Sequence, residues 1–388
     1  MISNNVGSDE QTYDSTDHLQ QVHAQIFVRH GARTPIEIVP NVESATWDKD
    51  ELFSGAENTY IKYKVKSINC GPAPFWTAEA RYRGHVFKGG SFPGQLTAIG
   101  MQQMYQLGLK LRREYIVEKQ FLSSNYNSSE IYIRSTNIAR TLESARSCIA
   151  GMYQDLILKP PDEPVIIYTD EDATEILYPE TRQCSHLQAY NKWLAKHLDI
   201  IPGLTKDRQT IQHVLGLGNE EDVHFYFIRD DIFTRMFHNL PIPEVLKPYL
   251  DIIEKRTLEI ARVATMGITS DENIETLKMN VGPLVALIVQ NLRDAALEKS
   301  AYKFHLYACH DSSVIALLYA FDIFDNQWPP FAADLRFEVL VSKMSTIATD
   351  EACHGGLCQD PLYKYEYKSQ VKIAERSRPP FTSKCSLL

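Results

Sequence analysis

The sequence predicts an α/β fold with a mainly parallel sheet flanked by helices, plus an inserted helical cap. Three observations lead there. Short β-branched and aromatic runs alternate with helix-period stretches, the pattern of a parallel sheet. Between about residues 180 and 300 the strands stop and only the helical period continues. Three of the strands end in clusters of charged residues, where an open parallel sheet binds its ligands.

The elements follow in order. Residues 1–20 are polar and acidic and read as a disordered tail. "VHAQIFV" (22–28) reads as a buried strand. Residues 41–94 lack clear periodicity, are rich in aromatics, Gly and Pro, and read as a long functional loop or part of the cap. "TAIGMQQMYQLGLKLRREYI" (97–116) is a helix with a broad apolar face, and Thr97 is its expected N-cap. "SSEIYIRST" (128–136) is a strand and "NIARTLESARSCIAGMY" (137–153) a helix. "EPVIIYTD" (163–170), "KFHLYACHD" (303–311) and "ADLRFEVLVS" (333–342) are strands, and a helix over 312–321 follows the second of them. The catalytic core is thus read over 21–40, 95–178 and 301–345. The cap spans 179–300, and 346–388 forms an atypical C-terminal segment.

Composition narrows the function. The chain has 388 residues and a net charge of −9. An acidic chain has no field to attract nucleic acid, so any anion site must be local. Seven widely spaced cysteines give no disulfide framework. Cys353 and Cys358 enclose His354, but further ligands for a metal are not evident nearby, so no metal or other cofactor is expected. The N-terminal stretch has neither an apolar core nor an arginine. It is therefore not read as a secretory signal, and the chain reads as intracellular and cytoplasmic. A transmembrane span is not expected, and the protein is expected to be a monomer.

The charged strand ends carry the chemistry. "IFVRHGARTP" (26–35) ends one strand in Arg29, His30 and Arg33. "IYIRST" ends another in Arg134. "YACHD" ends a third in His310 and Asp311. Arginine presents a planar donor fork that matches phosphate oxygens. A helix starting at Ser312 adds free N–H groups and partial positive charge. Arg29, Arg33, Arg134 and His310 would hold a phosphoryl group. His30, as neutral imidazole, would attack phosphorus. Asp311, the lone carboxylate among the clusters, would protonate the leaving oxygen and then help water attack. Gly31 is expected to let the backbone bend sharply and approach the ligand. Each cluster alone has an ordinary reading, a surface histidine or a salt-bridged arginine. The three together supply one kind of chemistry.

These residues resemble the histidine acid phosphatases. "RHGARTP" matches their Arg-His-Gly-x-Arg-x-Pro signature and His310-Asp311 their second motif. "KGGSFPGQLTAIGMQQMYQLGLKLRREY", "IYIRSTNIARTLESARSCIAG", "TDEDATEILYP", "HNLP" and "FDNQWPPFAADL" are similar to its lysophosphatidic acid phosphatase branch, so the likeness covers most of 22–342. The resemblance implies a phosphoglycerate-mutase-like core with a helical cap. It also implies a phosphohistidine at His30, proton donation by Asp311, and phosphate binding by Arg29, Arg33, Arg134 and His310. It points to a mitochondrial location. Beyond the strand at 333–342 the chain departs from the family pattern, and a further edge strand is expected to be missing.

The leaving group is less determined. Tyr60, Tyr63, Phe75, Trp76, Tyr82, Phe87 and Phe92 either line a channel for an acyl chain or anchor the loop to the core. Lys62, Lys64, Lys66, Arg81, Arg83 and Lys88 leave room for an inositol polyphosphate. A lysophospholipid, lysophosphatidic acid, ranks first. A phosphatase for another substrate and a non-catalytic phospholipid-binding relative are the alternatives.

Overall fold

The computed structural model describes residues 19–75, 77–158, 163–179, 184–218 and 222–342, and the backbone of 370–373. Of the expected tail over 1–20, residues 1–18 lie outside the described residues, as do Trp76 and Cys353 with Cys358, while Leu19 and Gln20 already belong to the first strand.

A seven-stranded sheet has the order β2-β4-β3-β5-β1-β6-β7. Its strands are β1 (Leu19–Arg29), β2 (Tyr63–Ser67), β3 (Ile131–Ser135), β4 (Val165–Thr169), β5 (Phe304–Cys309), β6 (Asp334–Ser342) and β7 (Gln370–Ile373). The first five run parallel to one another, β6 is antiparallel to β1, and β7 is antiparallel to β6. The helices are α1 (Lys49–Leu52), α2 (Thr77–Tyr82), α3 (Ala98–Leu111), α4 (Ala139–Met152), α5 (Asp155–Leu158), α6 (Ser185–Lys196), α7 (Leu204–Val214), α8 (Phe225–Phe237), α9 (Leu250–Met266), α10 (Ser270–Ala296) and α11 (Asp311–Ala320).

Strand alternation sorts the core into two layers. Ile26, Val28, Ile131, Ile133 and Leu306 pack on Met104, Leu107, Leu142 and Ile149 of α3 and α4. Phe27, Tyr307, Leu335 and Phe337 pack on the opposite face, against Val281, Leu284 and Ile288 of α10 and Leu317 of α11. Helices α7, α8 and α9 bury a separate cluster that includes Leu204, Ile211, Ile228, Ile232, Ile253 and Val263. Helix α10, read from sequence with the cap, instead covers the sheet.

Two differences from the sequence reading concern the sheet edges. The stretch read as aperiodic contributes β2, which pairs with β4 from Tyr63↔Val165 to Ser67↔Thr169. It alternates, with Tyr63 and Val65 packed on the core and Lys64 and Lys66 between them, but over only five residues within a long irregular stretch. The edge strand expected to be missing is present as β7. It pairs with β6 from Leu340↔Gln370 to Phe337↔Ile373, after a connection too long for a sequence pattern to bridge.

Candidate active site

The parallel strands β1, β3 and β5 end side by side, with Arg29 opposite Cys309 and Ser135 opposite Ala308. Arg29-His30, Thr136 and His310-Asp311 are therefore brought to one place by the sheet alone. A cavity of about 900 Å³ opens above them. His310, Asp311, Ser312, Arg140 and Tyr226 line it, with Ile36, Ile38, Pro93, Ile138, Tyr178 and Pro179 among its apolar walls.

The loop after β1 is clamped from two sides. Gly31 N donates to Ser144 Oγ at 3.2 Å, and Ala32 N donates to Gln103 Oε1 at 2.8 Å. Thr97 caps α3 by accepting from Gly100 N, and its own hydroxyl donates to Ala32 O. A Cβ on Gly31 would lie 2.2 Å from the Gly100 carbonyl oxygen. Gly31 is thus required by the close approach of α3, and the bend toward a ligand expected from sequence is not its reason.

His30 is 1% exposed. Its Nδ1 lies 2.9 Å from Gly31 O. A carbonyl oxygen only accepts, so Nδ1 carries the proton and Nε2 keeps its lone pair. Burial first, then the charges of Arg140, Arg33 and Arg29 and the neighbouring His310, hold the imidazole well below its ordinary pKa. His30 is therefore neutral and poised as a nucleophile or metal-free base. The His310 ring stands edge-on to it at 5.6 Å, and His310 Nε2 lies 3.0 Å from Thr136 Oγ1. The same causes, burial and then Arg140, keep His310 neutral too.

Asp311 opens α11. Its Oδ1 accepts from Ser312 N at 2.9 Å, and its Oδ2 accepts from Trp328 Nε1 at 3.2 Å and from Arg29 Nη2 at 2.8 Å. Burial pushes its pKa up, but Arg29 and then Arg33 outweigh that and bring it down to about 2. Arg29 also donates to Pro329 O and lies over the Phe331 ring. Arg33 is held by a two-pronged pair to Asp230 of α8, at 3.0 and 2.8 Å. Its guanidinium is fixed in place by that pair, with Nη1 also donating to Thr34 O at 3.0 Å.

Arg134 sits differently from the expectation. It is the fourth residue of β3, and its Nη2 pairs with Glu175 at 2.9 Å and Asp170 at 3.6 Å. It is not among the residues lining the cavity. Its guanidinium is buried against two carboxylates, whereas Arg29 and Arg33 each face one. Arg140, missed from sequence, lines the cavity instead. It lies over the Tyr82 ring, and its Nε and Nη1 are buried without hydrogen-bond partners. A signal was available: Arg140 occupies the first turn of α4, where a cation opposes the helix dipole and an anion is favoured.

The loop aromatics largely anchor. Phe87 packs with Trp47 and Ala45, Tyr63 packs on the core, and Phe92 lies under Arg83. Of that set only Tyr82 lines the cavity among the described residues, and of the six loop cations only Arg81 does. The described residues include no metal-binding group of three or more His, Cys, Asp or Glu.

Fold and site together define a hydrolase of phosphate monoesters. Over residues 19–350 the chain matches the histidine phosphatase superfamily (branch 2), and it belongs to that family. It is 33% identical to lysophosphatidic acid phosphatase type 6 of Bos taurus over 92% of this chain and 85% of the relative. It is 36% identical to the Homo sapiens protein of that name over 81% of this chain and 72% of the relative. Among solved structures, a Bifidobacterium longum multiple inositol polyphosphate phosphatase in complex with inositol hexasulfate has a TM-score of 0.54 at 12% identity, covering 89% of this chain and 87% of that one. Hafnia alvei phytase in complex with tartrate has a TM-score of 0.52 at 13% identity, covering 84% and 82%. At those identities the likeness speaks for the fold alone.

Proposed function

We propose that the chain hydrolyses lysophosphatidic acid to monoacylglycerol and phosphate through a phosphohistidine on His30. The observation that carries the chemistry is the 2.9 Å contact from Nδ1 to Gly31 O, which leaves Nε2 free for attack among Arg29, Arg33 and Arg140. The phosphate monoester enters with its oxygens on those arginines and His310. An arriving dianion draws Arg29 off Asp311, and the carboxyl can then take up a proton. Nε2 bonds to phosphorus as the ester P–O bond breaks, and Asp311 gives its proton to the leaving oxygen. Water then attacks phosphorus, gives a proton to Asp311, and the P–N bond breaks. All these groups come from one chain, which supports action as a monomer. The substrate rests on the names of the most similar relatives and on the apolar wall of Ile36, Ile38, Pro93 and Ile138. An inositol polyphosphate is less favoured, because of the six loop cations only Arg81 lines the cavity.

Brief incubation with a radiolabelled phosphomonoester and an alkaline quench should leave acid-labile label on the wild type and none on His30→Ala. A wild type that takes no label and releases no phosphate would return the chain to the non-catalytic, phospholipid-binding alternative. Lysophosphatidic acids of graded chain length test the substrate: a flat kcat/KM series argues against an acyl-binding wall.

A further inference from the structure

We propose that the rim of the cavity is a docking surface for an anionic lipid bilayer, built from the loop over 81–88 together with Ile38 and Phe75. The inference deepens the reading above, since a lysophospholipid resides in a membrane.

The loop reads "RYRGHVFK". Two of its side chains are pegs that point inward. Tyr82 lies under Arg140, and Phe87, 4% exposed, packs on Trp47. The side chains of Arg81, Arg83, His85, Val86 and Lys88 are exposed. Arg83 is steadied by Glu79 at 3.1 Å and by the Phe92 ring beneath it. The loop is thus held in place while it presents three permanent cations and no acid, in a chain whose net charge is −9.

Three large apolar side chains border the same mouth. Ile38 lines the cavity yet is 44% exposed, and Val86, 53% exposed, follows His85, another lining residue. Phe75 is 81% exposed, and its carbonyl is held by Asn137, next to the lining residue Ile138. Exposed apolar residues beside cations, around the entrance to a cavity with an apolar wall, match the interfacial layer of a membrane. The cations meet anionic headgroups, and the apolar tips enter the acyl boundary. Glu37 is also on the rim and Glu79 pairs with Arg83, so Arg81 and Lys88 carry the positive surplus. A lipid drawn from the bilayer would then pass from the apolar tips to Ile36 and Ile38 without crossing open water.

The test is cosedimentation of the full chain with phosphatidylcholine vesicles, with and without phosphatidylserine. The wild type should pellet with the anionic vesicles and be released by salt. Val86→Asp and Phe75→Asp should each weaken binding about tenfold, from lost apolar burial and added repulsion. Lys88→Gln should weaken it about fivefold, the worth of one cation at an anionic leaflet. All three should hydrolyse a soluble aryl phosphate at the wild-type rate, which also reports that they are folded. A wild type that stays in the supernatant, or that binds neutral and anionic vesicles alike, overturns the proposal. So do Val86→Asp and Phe75→Asp variants that bind as the wild type does. If vesicle binding behaves as expected but lysophosphatidic acid is not cleaved even as dispersed monomers, the docking surface stands and the substrate reading falls.

Discussion

Arg29 Nη2 lies 2.8 Å from Asp311 Oδ2, and both side chains are buried at the point where β1 and β5 end together. The pair keeps the proposed proton donor ionised, at a pKa of about 2, until a competing anion claims the arginine. The acid is in this way made dependent on the group it is to act upon.

Asp311→Asn should slow hydrolysis of alkyl phosphates about 10²- to 10⁴-fold, because their alkoxide leaving groups need the proton. Aryl phosphates with good leaving groups should lose far less. Steady-state kcat on the two substrate types checks this, and equal losses would remove Asp311 from the general-acid role.

Arg140 and Arg134 should separate function from stability. Arg140→Ala removes a cavity-lining cation without stranding a carboxylate, so kcat/KM should drop about 10²-fold or more with little change in Tm. Arg134→Ala breaks the buried ion pair with Glu175, and breaking such a pair costs about 3–5 kcal/mol. Its Tm should fall sharply. Thermal unfolding and kcat/KM measured on the same preparations decide between the two assignments.

A second histidine pair sets an acid limit. His23 and His305 lie 4.9 Å apart on the sheet, among Tyr132, Tyr302 and Tyr307. Burial lowers His23 to about 4, partly offset by the Tyr302 backbone, and lowers His305 to about 3, with His23 adding to the effect. Both bind protons more weakly folded than unfolded. Their stabilising effect is complete above the unfolded pKa near 6.5 and is lost as pH falls from there toward 4. Between those limits each contributes a slope of up to about 1.4 kcal/mol per pH unit. Urea unfolding from pH 7 to pH 4 should therefore show falling stability. A His23→Phe, His305→Phe variant should show a shallower decline, and an unchanged slope would discount the pair.

Much of the site was legible because local rules placed it. The apolar runs before Arg29 and His310 are buried strands, and a parallel sheet must gather their carboxyl ends. His30, Arg33 and Asp311 could be assigned chemistry from residue type alone. Strand β2 and the β6–β7 edge were not legible, since β2 is a short alternation inside a long irregular stretch and β7 returns from far along the chain.

The arginines mark the boundary between sequence and tertiary structure. By itself the sequence determined that cations, two histidines and one carboxylate would meet at the sheet's end, through strand order and the position of each charge after its strand. It did not determine which arginines face the ligand. Arg134 and Arg140 are six positions apart, and both have side chains long enough to reach the same space. Glu175, from the segment after β4, pairs with the first, and the second lines the cavity. Asp230, from the cap, fixes Arg33. A buried charge goes where its partner is, and those partners arrive from distant parts of the chain only when the fold is complete.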